Sequence, residues 1–253
     1  MTDTTFRRRN YGSGHAYYLG DRKLDGVTTL LSKGLPKPAL VNWAARTVAE
    51  MAVNEWDDLG QLPVASRLAK LVKAPDAARN SAAVKGTRIH ALADPIARGE
   101  EVNVPDELAG HVESCVRFLD EWNVKTIHAE CPVFHAKYLY GGTFDLFGEI
   151  DGETWLLDWK SSASGAYGDT AFQLGAYGNA THMQLPDGSV VPMVKPDRYG
   201  VVWLRADGYD LYPYHVDDSV FRQFLYIQQV AKAAETCRDY KGDALYPPAR
   251  SIA

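Results

Sequence analysis

Three features of the sequence predict an α/β fold, with a central mixed sheet of antiparallel hairpins flanked by helices and an N-terminal helical extension. Helical apolar stripes alternate along the chain with short β-rich runs. Two of those runs meet at Asp151-Gly152 and two more at Asp207-Gly208, and Asp-Gly is among the strongest short hairpin signals. No internal repeat interrupts the alternation. The 253 residues, 46% hydrophobic and 23% charged, suffice for one well-buried core, so a single domain is expected over 1–253. It divides into a basic, helical extension (1–77), a core (78–240) and an irregular tail (241–253). The sequence shows neither a charged-then-apolar leader nor an apolar run of about 18 residues, so a cytoplasmic protein without membrane contact is expected.

At the start, residues 1–14 read as flexible, with Arg7, Arg8 and Arg9 forming either a solvated tail or a phosphate-contacting arm. Residues 17–19 and 22–24 form a small hairpin about Gly20-Asp21, leading to VTTLLSKGLPKP. Pro36 and Pro38 then stop what precedes them and open the next helix. Leu40, Ala44, Val48 and Met51 recur at helical spacing, and Val64, Leu68, Leu71 and Val72 mark a second short helix; both stripes are assigned to the core. Lys70, Lys73, Lys85 and Arg88 on or near the following connection are candidates for a basic rim. A third helix over 78–98 buries Ile89, Leu92, Ala93 and Ile96, with Pro95 kinking or shortening its last turn. It carries Gly86 one turn before His90, so it can approach another backbone closely while presenting an imidazole.

Leu108, Val112, Cys115, Leu119 and Trp122 make the clearest amphipathic stripe, a helix over 106–122 packed on the sheet. A strand over 126–134 follows, with Glu130 on the face opposite to Ala129 and Cys131 and therefore a further candidate carboxylate. After the Asp151-Gly152 hairpin comes a small-residue loop (161–168) and a helix over 169–182, whose Gln173 and Tyr177 share a face. The second hairpin spans 199–205 and 209–215. Val220, Phe224, Ile227, Ala231 and Ala234 define a closing helix capped by Asp217 or Asp218, and Pro247 and Pro248 mark the irregular tail.

The chemistry concentrates in the hairpin over 140–160, YGGTFDLFGEIDGETWLLDWK. A loop centred on Asp151-Gly152 sets Asp145 across from Asp158 and Thr143 across from Lys160. Phe144, Leu146 and Ile150 then share the side opposite Asp145, and Trp155, Leu157 and Trp159 the side opposite Asp158 and Lys160. Facing carboxylates roughly 4.5–5.5 Å apart at Cβ destabilise a sheet unless a cation neutralises them, and a divalent metal is the natural candidate.

Other counts narrow the function. A net charge of −5 argues against nucleic-acid binding through overall charge. Residues 1–100 nevertheless carry 15 Lys+Arg against 10 Asp+Glu, while 101–253 carry 12 against 22. A partly basic half can thus supply phosphate contacts beside an acidic metal site. Cys115, Cys131 and Cys237 are scattered, which disfavours disulfides or a zinc site and suggests buried apolar residues. No G-x-x-x-x-G-K-[ST] run is present, so no ATP-driven motor and no nucleotide cofactor are expected.

In order, the motifs are G-T-x-x-H (Gly86 to His90), G-x-x-D (Gly142 to Asp145), D-x-K (Asp158 to Lys160) and Q-x-x-x-Y (Gln173 to Tyr177). This order resembles the PD-(D/E)xK nuclease superfamily, and within it the RecB-type nuclease domains, including CRISPR-associated adaptation exonucleases and phage-encoded relatives. The resemblance implies a restriction-endonuclease-like core over 78–240. It also implies a metal-dependent deoxyribonuclease, above all an exonuclease acting on DNA ends in recombination, repair or phage replication; a structure-specific or nicking endonuclease and a non-catalytic DNA-binding module are the alternatives. By the same resemblance, His90, Asp145, Asp158 and the backbone carbonyl of Trp159 hold Mg²⁺ or Mn²⁺, and Lys160 positions or activates the attacking water. Gln173 and Tyr177 form the accessory pair beside the nucleic-acid strand, and Lys85 and Arg88 are candidate DNA contacts. Many such exonucleases carry an iron-sulfur cluster on four cysteines; with three scattered ones, no cluster is expected here. The partners expected are DNA and, for unwinding, a separate helicase or recombination protein.

Overall fold

A computed structural model describes residues 5–12 and 14–245. Strands β1 (Phe6–Tyr11), β2 (Gly14–Leu19) and β3 (Arg22–Gly26) form an antiparallel meander. Helices α1 (Val27–Gly34), α2 (Pro38–Asn54), α3 (Trp56–Gln61) and α4 (Val64–Ala97) follow, then a 3-10 turn (Asp106–Leu108) and α5 (Ala109–Glu121). The central strands are β4 (Lys125–His135), β5 (Tyr140–Ile150) and β6 (Glu153–Lys160). They lead into α6 (Thr170–Gly178), β7 (His182–Gln184), β8 (Val190–Pro192), β9 (Arg198–Leu204), β10 (Tyr209–Tyr214) and α7 (Asp218–Thr236). The result is mixed α/β: a curled mixed sheet, flanked by helices.

In that sheet β5 is the hub. One of its edges runs antiparallel to β4. The other edge is shared: β3 pairs in parallel at Tyr140 and Gly141, and β6 pairs antiparallel from Leu146↔Leu157 to Ile150↔Glu153. Residues 142–145 lie between these two ladders and open the sheet there. β6 continues in parallel onto β9, and β9 pairs antiparallel with β10.

The two larger of three apolar clusters among the described residues cover the sheet, the third being Phe6, Tyr17, Leu24 and Phe134 under the meander. One contains Val27, Phe144, Leu156, Leu174, Tyr177, Val201 and Phe224, the layer of α1, α6 and α7. The other joins Ile89, Ala93, Cys115 and Phe118 of α4 and α5 to Leu146, Leu157, Trp159 and Val202. Phe144 and Leu146, expected on one side of β5, therefore lie in different cores. The alternation breaks at Asp145, and across from that position on β4 Glu130 has a left-handed backbone (φ +48°). A residue held there is strained, and the strain goes with the reversal of the pleat.

Several local expectations are corrected. Residues 6–11 form a strand rather than a flexible segment, because the run pairs with β2 along its whole length. The second and third helices are one 34-residue helix that absorbs Pro75, at the cost of one backbone hydrogen bond, so no connection carries Lys70, Lys73, Lys85 and Arg88. The apolar stripe of α2 buries none of its residues, and Leu40, Val64, Leu68 and Val72 are exposed, since α2 and the first half of α4 pack chiefly on each other, away from the sheet. α6 ends at Gly178, and His182 begins the unforeseen β7. Cys115 and Cys131 are buried but Cys237 is exposed. The closing helix is capped as expected, with Asp217 accepting from the N–H groups of Ser219 and Val220. Pro247 and Pro248 lie outside the described residues. Among the described residues no helix is long and apolar enough to cross a membrane.

Candidate functional site

The gap on the edge of β5 opens into a cleft of about 950 Å³, lined by His90, Glu130, Asp145, Asp158, Lys160, Gln173 and Tyr177. Residues from α4, β4, β5, β6 and α6 thus meet in one place. The hairpin register runs as the Asp151-Gly152 turn dictates out to Leu146↔Leu157. Asp145 and Asp158 are the next residues on each strand, and there the ladder stops. In its place the Asp145 carboxylate turns across the gap, and its Oδ2 accepts from the Trp159 N–H at 2.8 Å. A side chain thus satisfies a backbone donor that strand pairing leaves free.

The other Asp145 oxygen, Oδ1, lies 3.2 Å from His90 Nδ1. Burial opposes ionisation of Asp145, but His90, Lys160 and the Trp159 N–H outweigh it and hold the carboxyl below its ordinary range. For His90 burial disfavours the charged form, yet Asp145, with help from Asp158, raises its pKa to about 9. The imidazole is accordingly a cation at neutral pH.

Asp158 is the most enclosed acid of the cleft, its side chain only 3% exposed. Gln173 Nε2 donates to its Oδ1 at 2.6 Å. Lys160 Nζ lies 2.6 Å from Oδ2, but off the hydrogen-bond direction, so among the described residues this buried oxygen receives charge without an aligned donor. Burial and the neighbouring Asp145 raise the Asp158 pKa despite Lys160 and His90. Burial lowers and the two aspartates raise that of Lys160, with a net upward shift. Lys160 is therefore an ammonium ion held between two acids, and two buried carboxylates share two protein cations. The Tyr177 hydroxyl sits 3.5 Å from Gln173 Nε2, and burial raises its pKa.

The glycines before Asp145 shape the walls. A methyl group on Gly141 would lie 2.8 Å from Tyr17, and one on Gly142 would lie 2.3 Å from Tyr177 Cε1, so each glycine seats a tyrosine. Tyr17 in turn hydrogen-bonds Thr143 Oγ1 (2.8 Å) and His15 Nε2 (2.9 Å), placing the first hairpin on the rim.

Glu130 lines the cleft, ion-paired to Arg8 at 2.9 Å, and burial raises its pKa against the pull of that arginine. The Trp159 indole fills the core below, 1% exposed, so only its backbone belongs to the site. Lys85 and Arg88 do not line the cleft. They lie off the face of α4 that carries Gly86, Thr87 and His90, and Arg88 instead pairs with Glu107 at 2.8 Å. Gly86 makes no tight approach, since a Cβ there would meet Ser161 Oγ at an ordinary 3.6 Å.

The sequence reading missed Tyr17, His15 and Thr143 as parts of this site, and read Arg8 only as a member of a tail or arm. The paired glycines at 141–142 were the one local signal that rings would approach. Among the described residues no three His, Cys, Asp or Glu side chains are grouped to hold a metal ion. The donor set nevertheless suits a hard divalent cation: two adjacent buried carboxylates, one with an oxygen lacking an aligned donor, beside an imidazole. No family model matches the chain, and no curated protein matches it.

Proposed function

We propose that the cleft hydrolyses phosphodiester bonds of DNA with the help of a divalent cation, on a restriction-endonuclease-like core of the PD-(D/E)xK type, and that the protein acts as an exonuclease on DNA ends. The observation that carries this reading is the convergence of His90, Asp145, Asp158, Lys160, Gln173 and Tyr177, four motifs spread over the sequence, in one cleft.

Asp145, Asp158 and the carbonyl of Trp159 would hold Mg²⁺ or Mn²⁺, and His90 makes Mn²⁺ acceptable once it has lost its proton. When bound, the ion supplies charge stabilisation for the reacting phosphate. The protein groups do the rest. Lys160, kept protonated by the two aspartates, orients the attacking water and screens charge building on phosphate oxygens; a raised pKa suits that role and not proton abstraction. Gln173 holds the Asp158 carboxylate in place through its 2.6 Å hydrogen bond, and Tyr177 closes the wall behind it. The water oxygen forms a bond to phosphorus as the opposite P–O bond breaks; the water gives up one proton to bulk solvent, and the leaving oxygen takes one from solvent.

Incubating the chain with linear and covalently closed circular DNA, in Mg²⁺, Mn²⁺ or EDTA, tests this directly. Loss of linear DNA alone, abolished by EDTA and by Asp158→Ala or Lys160→Ala in folded protein, is the expected result. Cutting of both forms makes the enzyme an endonuclease, and full activity in either variant refutes the mechanism.

A further inference from the structure

Hydrolysis as described leaves one wall of the cleft unused. It is built by the N-terminal meander, and the alternation of β1 divides the run Arg7-Arg8-Arg9 between two faces. Arg7 Nη2 donates to the Gly20 carbonyl at 2.8 Å, and Arg9 lies over the Tyr18 ring, 5.0 Å from its centroid. Arg8 alone of the three lines the cleft. There it makes a single-point contact, Nη1 to Glu130 Oε1 at 2.9 Å, while its Nε is buried with no hydrogen-bond partner among the described residues. A guanidinium offers five donors in a planar fork suited to two oxygens of one anion, so this contact leaves most of its capacity unused.

Glu130 is held in the left-handed backbone region at φ +48°, beside the position where the β5 pleat reverses. Strain of this kind survives only where the surroundings enforce it. Its carboxylate points to Arg8, and it reaches neither His90 nor Lys160, whose anionic partners are Asp145 and Asp158. The two cations nearest the floor are thus committed to the aspartates, and a polyanion entering the cleft needs another.

We propose that Arg8 binds a phosphate of the DNA strand lying in the cleft, and that Glu130 is the residue that positions Arg8 rather than a further metal ligand. This rests on the DNA-hydrolysing reading above. One phosphate contact releases about 0.7–0.9 of a counterion, so its loss lowers the slope of log affinity against log salt by that amount and weakens binding about four- to fivefold at ~0.15 M salt.

The test is fluorescence anisotropy of the full chain with a fluorescein-labelled, tailed DNA duplex in EDTA, over a series of NaCl concentrations. Arg8→Ala should show the reduced slope, and so should Arg8→Gln, which keeps a donor for Glu130 and serves if the alanine variant does not melt cooperatively. Glu130→Gln, with the arginine still present, should keep the parental slope. Parental slopes in both Arg8 variants would overturn the proposal. So would an equal loss of slope in Glu130→Gln, because the glutamine keeps the oxygen that positions Arg8 and the loss would then follow the charge of Glu130 rather than the phosphate contact of the arginine. Absence of salt-dependent binding by the parent would instead remove the DNA reading itself, before any variant is compared.

Discussion

The contact between His90 Nδ1 and Asp145 Oδ1, at 3.2 Å, should make the metal-free protein measurably less stable as the solution turns alkaline. Burial pulls the imidazole toward neutrality, but Asp145 prevails and its pKa stands at about 9, against 6.5 unperturbed. A group whose pKa is raised by folding contributes its full stabilisation below the unfolded value and loses it as pH climbs through the folded one. The window is therefore about pH 6.5 to 9. At about 1.4 kcal/mol per tenfold change, the contribution is at most about 3.5 kcal/mol, and less in practice because 32% of the imidazole side chain faces solvent. Urea unfolding in EDTA at pH 6 and pH 9.5 should show this loss in the wild type and a much smaller one in His90→Gln. A divalent ion reverses the sign. Binding through the imidazole requires its proton to leave, so affinity for Mg²⁺ or Mn²⁺ should rise about tenfold per pH unit between 7 and 9 and then level off. Equal alkaline losses in wild type and His90→Gln, or metal affinity flat across that range, would refute the assignment of the imidazolium to this pair.

Two other substitutions probe the walls. Gly142→Ala drives a methyl group into the Tyr177 ring, so thermal unfolding should report a loss of about 1–3 kcal/mol together with reduced nuclease activity; an unchanged melting temperature would show that the ring has room to move. Gln173→Ala removes the donor on Asp158 Oδ1, and metal affinity measured by calorimetry should fall about 10–100-fold while the far-ultraviolet circular dichroism stays as in the wild type. Unaltered metal affinity would separate Gln173 from the metal site.

What the sequence disclosed was mostly local. Asp151-Gly152 sets a register through its own backbone preference, and pairing from Ile150↔Glu153 to Leu146↔Leu157 follows that count. The end of the ladder at Asp145 was not legible, because it depends on β6 veering away while β3 takes the same edge of β5 from the far side. The single helix through Pro75 escaped for a related reason. Proline disfavours a helix interior by its own chemistry, and the surrounding turns outweigh that cost only as a group. The apolar stripe of α2 shows the limit of periodicity: helical spacing reveals which residues share a face, and what that face meets is settled elsewhere. Arg8 was indistinguishable from Arg7 and Arg9 until β1 existed to send alternate side chains to opposite faces.

Tyr17 and Tyr177, seated on neighbouring glycines, reach the cleft from either side of the β5–β6 hairpin in sequence, and the hydrogen bond from Tyr17 to Thr143 spans 126 residues of sequence. Closing loops of that size costs entropy before any contact repays it, so partners so distant join late in folding, after the local β5–β6 hairpin. A nascent chain has its carboxylate hairpin early but lacks both rings that wall it in until α6 has emerged and the first strands have returned to dock. A partly folded molecule that lacks these two rings carries its acidic residues without the enclosure that gives them their altered pKa values.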